Sequence, residues 1–171
     1  MQNDYTKQWN ASDFFRRLTE TNLLAQKHGF KFAEVSGLQG LEEAVSSMQN
    51  TRNFVCVMEN AAGYTEMDNS PHIRRVRTVF LVMRHVLGDM KDRRRCMDII
   101  TELHRQFCSM LIREKTRLED EHMQYLDSRI NLQEASKYLI PGTVIFMFEL
   151  AVDTYVSFEY NEKEWSTQPN S

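Results

Sequence analysis

A chain of 171 residues and 20.2 kDa, 42% hydrophobic and 26% charged with six Gly and three Pro, has the composition of one globular domain and excludes a disordered or fibrous chain. Its three cysteines (Cys56, Cys96 and Cys108) form no CxxC and sit beside apolar residues, which predicts buried free thiols instead of a disulfide framework or a metal site. Net charge is −3 but uneven: residues 71–95 hold eight basic and two acidic side chains, a balance of +6 that leaves −9 elsewhere and points to an electrostatic partner surface.

In chain order, Ser12 is a candidate N-cap for a helical segment over 11–28, with Phe15, Leu18, Asn22 and Ala25 at helical spacing and Gly29 as terminator. "FKFAEV" predicts a short strand and "LQGLEEAVSSM" a short helix striped by Leu38, Leu41, Val45 and Met48. "NFVCVME" (Asn53 to Glu59) predicts a strand buried on both faces. "NAAGYTEMDNSP" collects turn formers and predicts a projecting loop. His72 to Leu87 predicts a long strand whose Arg-rich start overhangs into solvent while Val79 to Met83 enter the core.

Gly88 and Asp89 break that strand, and Asp89 caps a long helix over about 90–117, with Met97, Ile100, His104, Phe107 and Leu111 on one face. Residues 119–138 fit either a helix or strand pieces, with strand preferred. "PGTVIFMFELAV" predicts a strand, Asp153 and Thr154 a change of direction, and "YVSFEY" a second, alternating strand. A polar tail over 166–171 is expected to fray. This mixture without regular β-α-β alternation predicts one α+β domain over 1–171, a mainly antiparallel sheet packed by two or three helices.

The apolar run Val144 to Val152 is interrupted by Glu149 and too short for a bilayer, and the N-terminus lacks the layout of a secretion signal. The expectation is therefore no membrane and the cytosol of the producing cell.

Catalytic chemistry finds little to use. The five histidines (28, 72, 85, 104 and 122) form no pair three or four residues apart, so no helix-borne metal pair is predicted, and His104 reads as a hydrogen-bonded core residue. The acidic runs Glu119-Asp120-Glu121 and Glu42-Glu43 read as solvated surface, because acid–base work needs two carboxylates in different environments. No GxSxG, P-loop or GxGxxG motif occurs. The expectation is no catalytic residue, no metal and no cofactor.

The basic cluster remains. It lacks interleaved aromatics apart from Phe80, and the pI of about 6.0 argues against a dedicated nucleic-acid binder. Arg93, Arg94 and Arg95 fall in the first turn of the long helix, where cations oppose the helix dipole and call for an acidic neighbour. Glu149, Asp153, Glu159, Glu162 and Glu164 make the C-terminal stretch acidic, so Arg74, Arg75 and Arg77 of one copy could meet the acidic end of the next in a closed ring. The candidate interface thus comprises Arg74, Arg75, Arg77, Arg93, Arg94, Arg95, Glu159, Glu162 and Glu164, with Tyr64 from the projecting loop.

"RTVFLVMRHVLGDMKDRRRCMDIITELHRQFCSML", a strand, a polar break and a long amphipathic helix, and "GTVIFMFELAVDTYVSFEYNEKEW", a strand pair with an aromatic end, together resemble the tail-terminator and tail-completion (neck) proteins of tailed bacteriophages and their relatives in prophages and contractile injection systems. The resemblance covers roughly residues 50–165 and rests on element order, since the family has no invariant signature. It implies a small non-enzymatic α+β subunit that forms a ring, commonly a hexamer, caps the tail tube and docks the head-side connector. It further implies itself, a tail tube protein and a head–tail connector as partners, and the particle's tail or neck as final location. The long 119–138 segment and the helical N-terminus depart from the pattern and leave a related neck or connector subunit open. A different class, a small nucleic-acid-associated or regulatory protein using Arg74 to Arg95, is the alternative, and an enzyme of unrecognised type is the third.

Overall fold

The computed structural model describes residues 8–47, 53–58, 62–135 and 140–166. The elements run α1 (Ala11–Thr21), α2 (Leu23–Lys27), β1 (Phe30–Val35), α3 (Leu38–Ser47), β2 (Asn53–Met58), β3 (Ala62–Glu66), β4 (His72–Arg84), α4 (Met90–His122), β5 (Gln124–Leu126), β6 (Asn131–Ala135) and β7 (Thr143–Tyr155), followed by a 3-10 turn (Glu162–Glu164). The chain is α+β, with a seven-stranded sheet and four helices, one more helix than the sequence predicts.

The spine is the antiparallel pair β4–β7, joined over thirteen positions from His72 opposite Tyr155 to Arg84 opposite Thr143. At about 3.3 Å per residue this ribbon is roughly 43 Å long. Its lower half, towards Arg84, is widened by β2 on one edge and β6 on the other. Its upper half, towards His72, is widened by β3 and β5. β1 lies outside β2 and pairs with it in parallel, the one departure from antiparallel order.

Side chains alternate across the sheet, and each face has its own core. On one face, Val79, Leu81 and Met83 of β4 and Val144, Phe146, Phe148, Leu150 and Val152 of β7 pack under α1 and α4, with Phe15 against Phe107 and Phe148. On the other face, Phe80, Val82, Ile145, Phe54 and Cys56 pack under Leu41 and Val45 of α3. That second core fills only the lower half.

Several boundaries differ from those the sequence predicts, each for a local reason. Asn10, not Ser12, caps α1, its side chain accepting from the Asp13 N–H at 3.0 Å. The helical segment over 11–28 is broken at Asn22, which ends α1 and caps α2 by accepting from the Ala25 N–H. α4 continues past 117 to His122, because Arg117 grips Glu114 and Glu121, Lys115 pairs with Glu119, and Leu118 is buried.

The predicted loop contains β3, whose pairing with β4 supplies the hydrogen bonds that a polar segment would otherwise take from water. Gly63 permits this approach: a Cβ there would fall 1.9 Å from the Arg74 carbonyl oxygen. The Arg-rich start of β4 therefore does not overhang; β3 and β7 flank it and leave it half-buried. Where the sequence predicts two strands around Asp153–Thr154, β7 runs straight through, since both residues find partners across the sheet on β4 and β5. "YVSFEY" is correspondingly no second strand, and only its Tyr155 belongs to β7. The ambiguous 119–138 segment resolves into the end of α4, β5 and β6, with 136–139 outside the described residues. Asn60 and Ala61 of the predicted loop, Met48 of the predicted α3 stripe, Glu59 of the predicted β2 strand and residues 167–171 of the predicted tail also lie outside them.

Candidate assembly surface

The fold divides the basic cluster that looks continuous in sequence. Arg74, Arg75 and Arg77 sit at the upper end of β4, whereas Arg93, Arg94 and Arg95 begin α4 beyond its lower end. Arg75 and Arg84 are nine steps of extended strand apart, roughly 30 Å.

The upper group then divides by face. Arg74 points to the face opposite α4, where its guanidinium bonds both carboxylate oxygens of Asp153, at 3.0 and 2.9 Å, and Oδ2 of Asp127 at 2.5 Å. Asp127 is pinned in turn: its Oδ1 accepts from the Arg129 N–H at 2.9 Å, and its own N–H donates to the Ala151 carbonyl. The Arg129 N–H and then the Arg74 guanidinium hold the Asp127 carboxyl below its usual range, and the same cluster raises the Arg74 value. Arg75 and Arg77 point the other way, beside Trp9, Val152 and Thr154 under the N-terminus of α1. Burial, then the neighbouring Arg77 charge, pushes the Arg75 value down.

Around Arg74 no helix among the described residues covers the upper half of the sheet. There Tyr64 of β3, His72 of β4, Tyr155 of β7 and Tyr125 of β5 form an unbroken aromatic row across four strands, with centroid spacings of 5.7, 5.6 and 5.2 Å. Tyr64 is 53% exposed and Tyr125 40%. At the edge of this row Met67, Met123 and Phe158 lie exposed beside Pro71 and Tyr155.

On this face the sequence singles out Tyr64 and Arg74 as interface residues and counts Asp153 in the acidic stretch offered to the arginines, but as a partner on another copy. The shared face of Asp153 and Tyr155 was legible in principle, since a single strand over 143–155 places Glu149, Asp153 and Tyr155 on one face by alternation. The predicted turn at Asp153 hid that.

At the lower end Arg95 bonds Asp92, at 3.0 and 2.7 Å, and the second oxygen of Asp92 accepts from the Val86 N–H. The Val86 N–H, followed by Arg95, lowers the Asp92 value. Arg93 and Arg94 make no ion pair among the described residues. Exposed Val86, Leu87 and Met90 lie beside them.

The acidic residues Glu159, Glu162 and Glu164 follow β7 at the upper end, on a segment anchored by the Val156 N–H on the Pro71 carbonyl and exposed from 157 to 166. They share an end with Arg74, Arg75 and Arg77, and Asp153 is already committed to Arg74.

The nearest approach to catalytic chemistry is on α4, where Cys108 Sγ lies 3.4 Å from His104 Nε2. Burial pushes the thiol up and the imidazole down, the reverse of an activated thiolate–imidazolium pair. His104 Nδ1 has no partner among the described residues, so the predicted hydrogen-bonded core histidine is only half satisfied there; its ring packs on Phe146 and Phe148. Cys56 and Cys96 are buried free thiols and Cys108 is a partly buried one. Among the described residues no three His, Cys, Asp or Glu side chains could hold a metal, and no helix is long and apolar enough to cross a membrane.

In comparison with known proteins, the chain matches no family model and no curated protein.

Proposed function

We propose that the chain is a structural subunit of a phage or phage-like particle, a ring-forming tail terminator that caps the tail tube and docks the head-side connector. The observation that carries this reading is the bare upper face of the sheet. Four neighbouring strands present Tyr64, His72, Tyr155 and Tyr125 around an arginine locked by two carboxylates, next to exposed Met67, Met123 and Phe158. Aromatics, methionine and a pre-ordered arginine are the side chains that concentrate binding energy at protein contacts. A rigid sheet also loses little entropy when a partner covers it.

The mechanism is geometric. A tube grows while each new ring presents the same face as the last; a subunit that matches that face on one side and differs on the other ends the growth. The resemblance of element order to tail terminators supplies the identity of the partners: further copies, the tube protein and the connector.

Negative-stain images of the purified protein should show rings of uniform diameter. Added in small amounts to the polymerising tube protein of the same particle, the protein should shorten the tubes. Discrete monomers together with unchanged tube length would overturn the reading.

A further inference from the structure

We propose that the segment from Ser157 to Trp165 is an exchanged arm that docks in the groove between α1 and α4 of a second copy. This rests on the reading that the chain assembles with itself, but not on the presence of a tail.

The arm is built to be covered. Every residue from 157 to 166 is exposed, and Phe158, Tyr160 and Trp165 retain 44, 53 and 58% of their surface. Large aromatics left this open on ten consecutive residues signal a contact. The arm is also ordered in advance. Asn161 caps the 3-10 turn by accepting from the Lys163 N–H, and its side-chain amide reaches Glu164. Across that turn Tyr160 and Trp165 stack with ring planes 26° apart and centroids 6.3 Å apart. Two rings already paired lose little further freedom on docking. Glu159, Glu162 and Glu164 against Lys163 give this cassette a charge of −2.

The groove has the opposite character. It measures about 740 Å³, with buried Phe14 and Leu18 beneath it, exposed Met110 at its side, and Arg17, Arg113 and Arg117 also lining it. That volume is within the range that accepts aromatic side chains. Its one carboxylate, Glu114, is occupied by Trp9 Nε1 at 2.9 Å and by Arg117. Arg17 and Arg113 are exposed and make no ion pair among the described residues. A groove whose three arginines outnumber its single carboxylate fits an acidic aromatic segment, and the described chain carries one such segment. The arm does not line the groove of its own copy, because its base is held elsewhere: Val156 on the Pro71 carbonyl, and Phe158 beside Met67 and Met123. An arm leaving one copy for the next is a heterologous contact, which closes into a ring when the rotation permits.

Three full-length variants test this by sedimentation velocity, with circular dichroism as a check on folding: R17E/R113E, E159K/E162K/E164K, and all five changes together. All the altered side chains are on the surface. Each partial variant should weaken self-association at least ~10-fold, and the combined variant should recover it by restoring opposite charges with their signs exchanged. If the wild type assembles and R17E/R113E assembles equally well, or if the combined variant fails to recover while folded, the arm–groove contact is overturned and self-assembly stands. A wild type that is monomeric at all concentrations overturns both.

Discussion

The lower and upper halves of the β4–β7 ribbon are chemically opposite, although the same two strands make both. In the lower half each face is covered, by α1 and α4 on one side and α3 on the other, and Phe80, Val82 and Ile145 are almost wholly removed from water. In the upper half one face is covered and the other carries exposed Tyr64 with half-buried His72, Arg74, Asp153 and Tyr155. A strand covered on both sides contributes to stability through burial. One covered on a single side holds its polar face in shape and leaves it available to a partner. The difference places stability and recognition in separate regions of a continuous sheet, so substitutions should tell them apart.

Phe80→Ala in the covered half should have the largest effect. It empties a fully buried site under α3 and should cost about 3–5 kcal/mol, lowering the Tm by roughly 10 °C in a chain of this size. Glu114→Ala comes next, at about 2–3 kcal/mol, because it frees Trp9 and Arg117 from a buried carboxylate that ties the start of α1 to α4. This loss should depend on pH. Arg117, with help from Trp9, holds the folded Glu114 value below the ordinary 4.5, so the contribution is fully present above about pH 4.5 and disappears as pH falls through the lowered value. Wild type and Glu114→Gln should therefore converge in urea midpoint on acidification, whereas a constant gap would refute the assignment.

Arg74→Ala, in the half covered on one face, should cost about 1–3 kcal/mol, since it removes the guanidinium that bridges Asp127 and Asp153 and leaves only the weaker Arg129 charge beside Asp127. Raising the salt concentration should recover part of that loss by screening the two carboxylates. Tyr64→Ala should be smallest, within about 0.5 kcal/mol by thermal melt, because its ring is mostly solvent-exposed. If the upper face is a contact surface, the same change should weaken assembly while leaving the fold untouched. A large stability loss at Tyr64 would mean that the two halves are not as separate as their coverage implies.

The long elements were readable because their periodicity is carried by many residues at once. Met97, Ile100, Phe107 and Leu111 mark α4, and the unbroken apolar runs mark β2, the lower half of β4 and the start of β7. β3 and the continuation of β7 past Val152 were not, because polar strand segments have no apolar signature of their own. Their pairing depends on partners distant in sequence, as Asp153 depends on Arg74 seventy-nine positions away. Short-range signals mislead there: Asp153–Thr154 resembles a turn until β4 and β5 are placed on either side.

The basic cluster shows the same limit for the site. By itself the sequence determined that eight cations fall between Arg74 and Arg95, that an apolar strand core lies among them, and that a capped helix begins at Asp89. Only the tertiary structure decided where those charges go. An extended strand advances about 3.3 Å per residue, so neighbours in sequence become opposite ends of the molecule, and alternation sends Arg74 and Arg75 to opposite faces. Charge order along a chain is local information, whereas a charged surface is made by the fold that brings distant segments together.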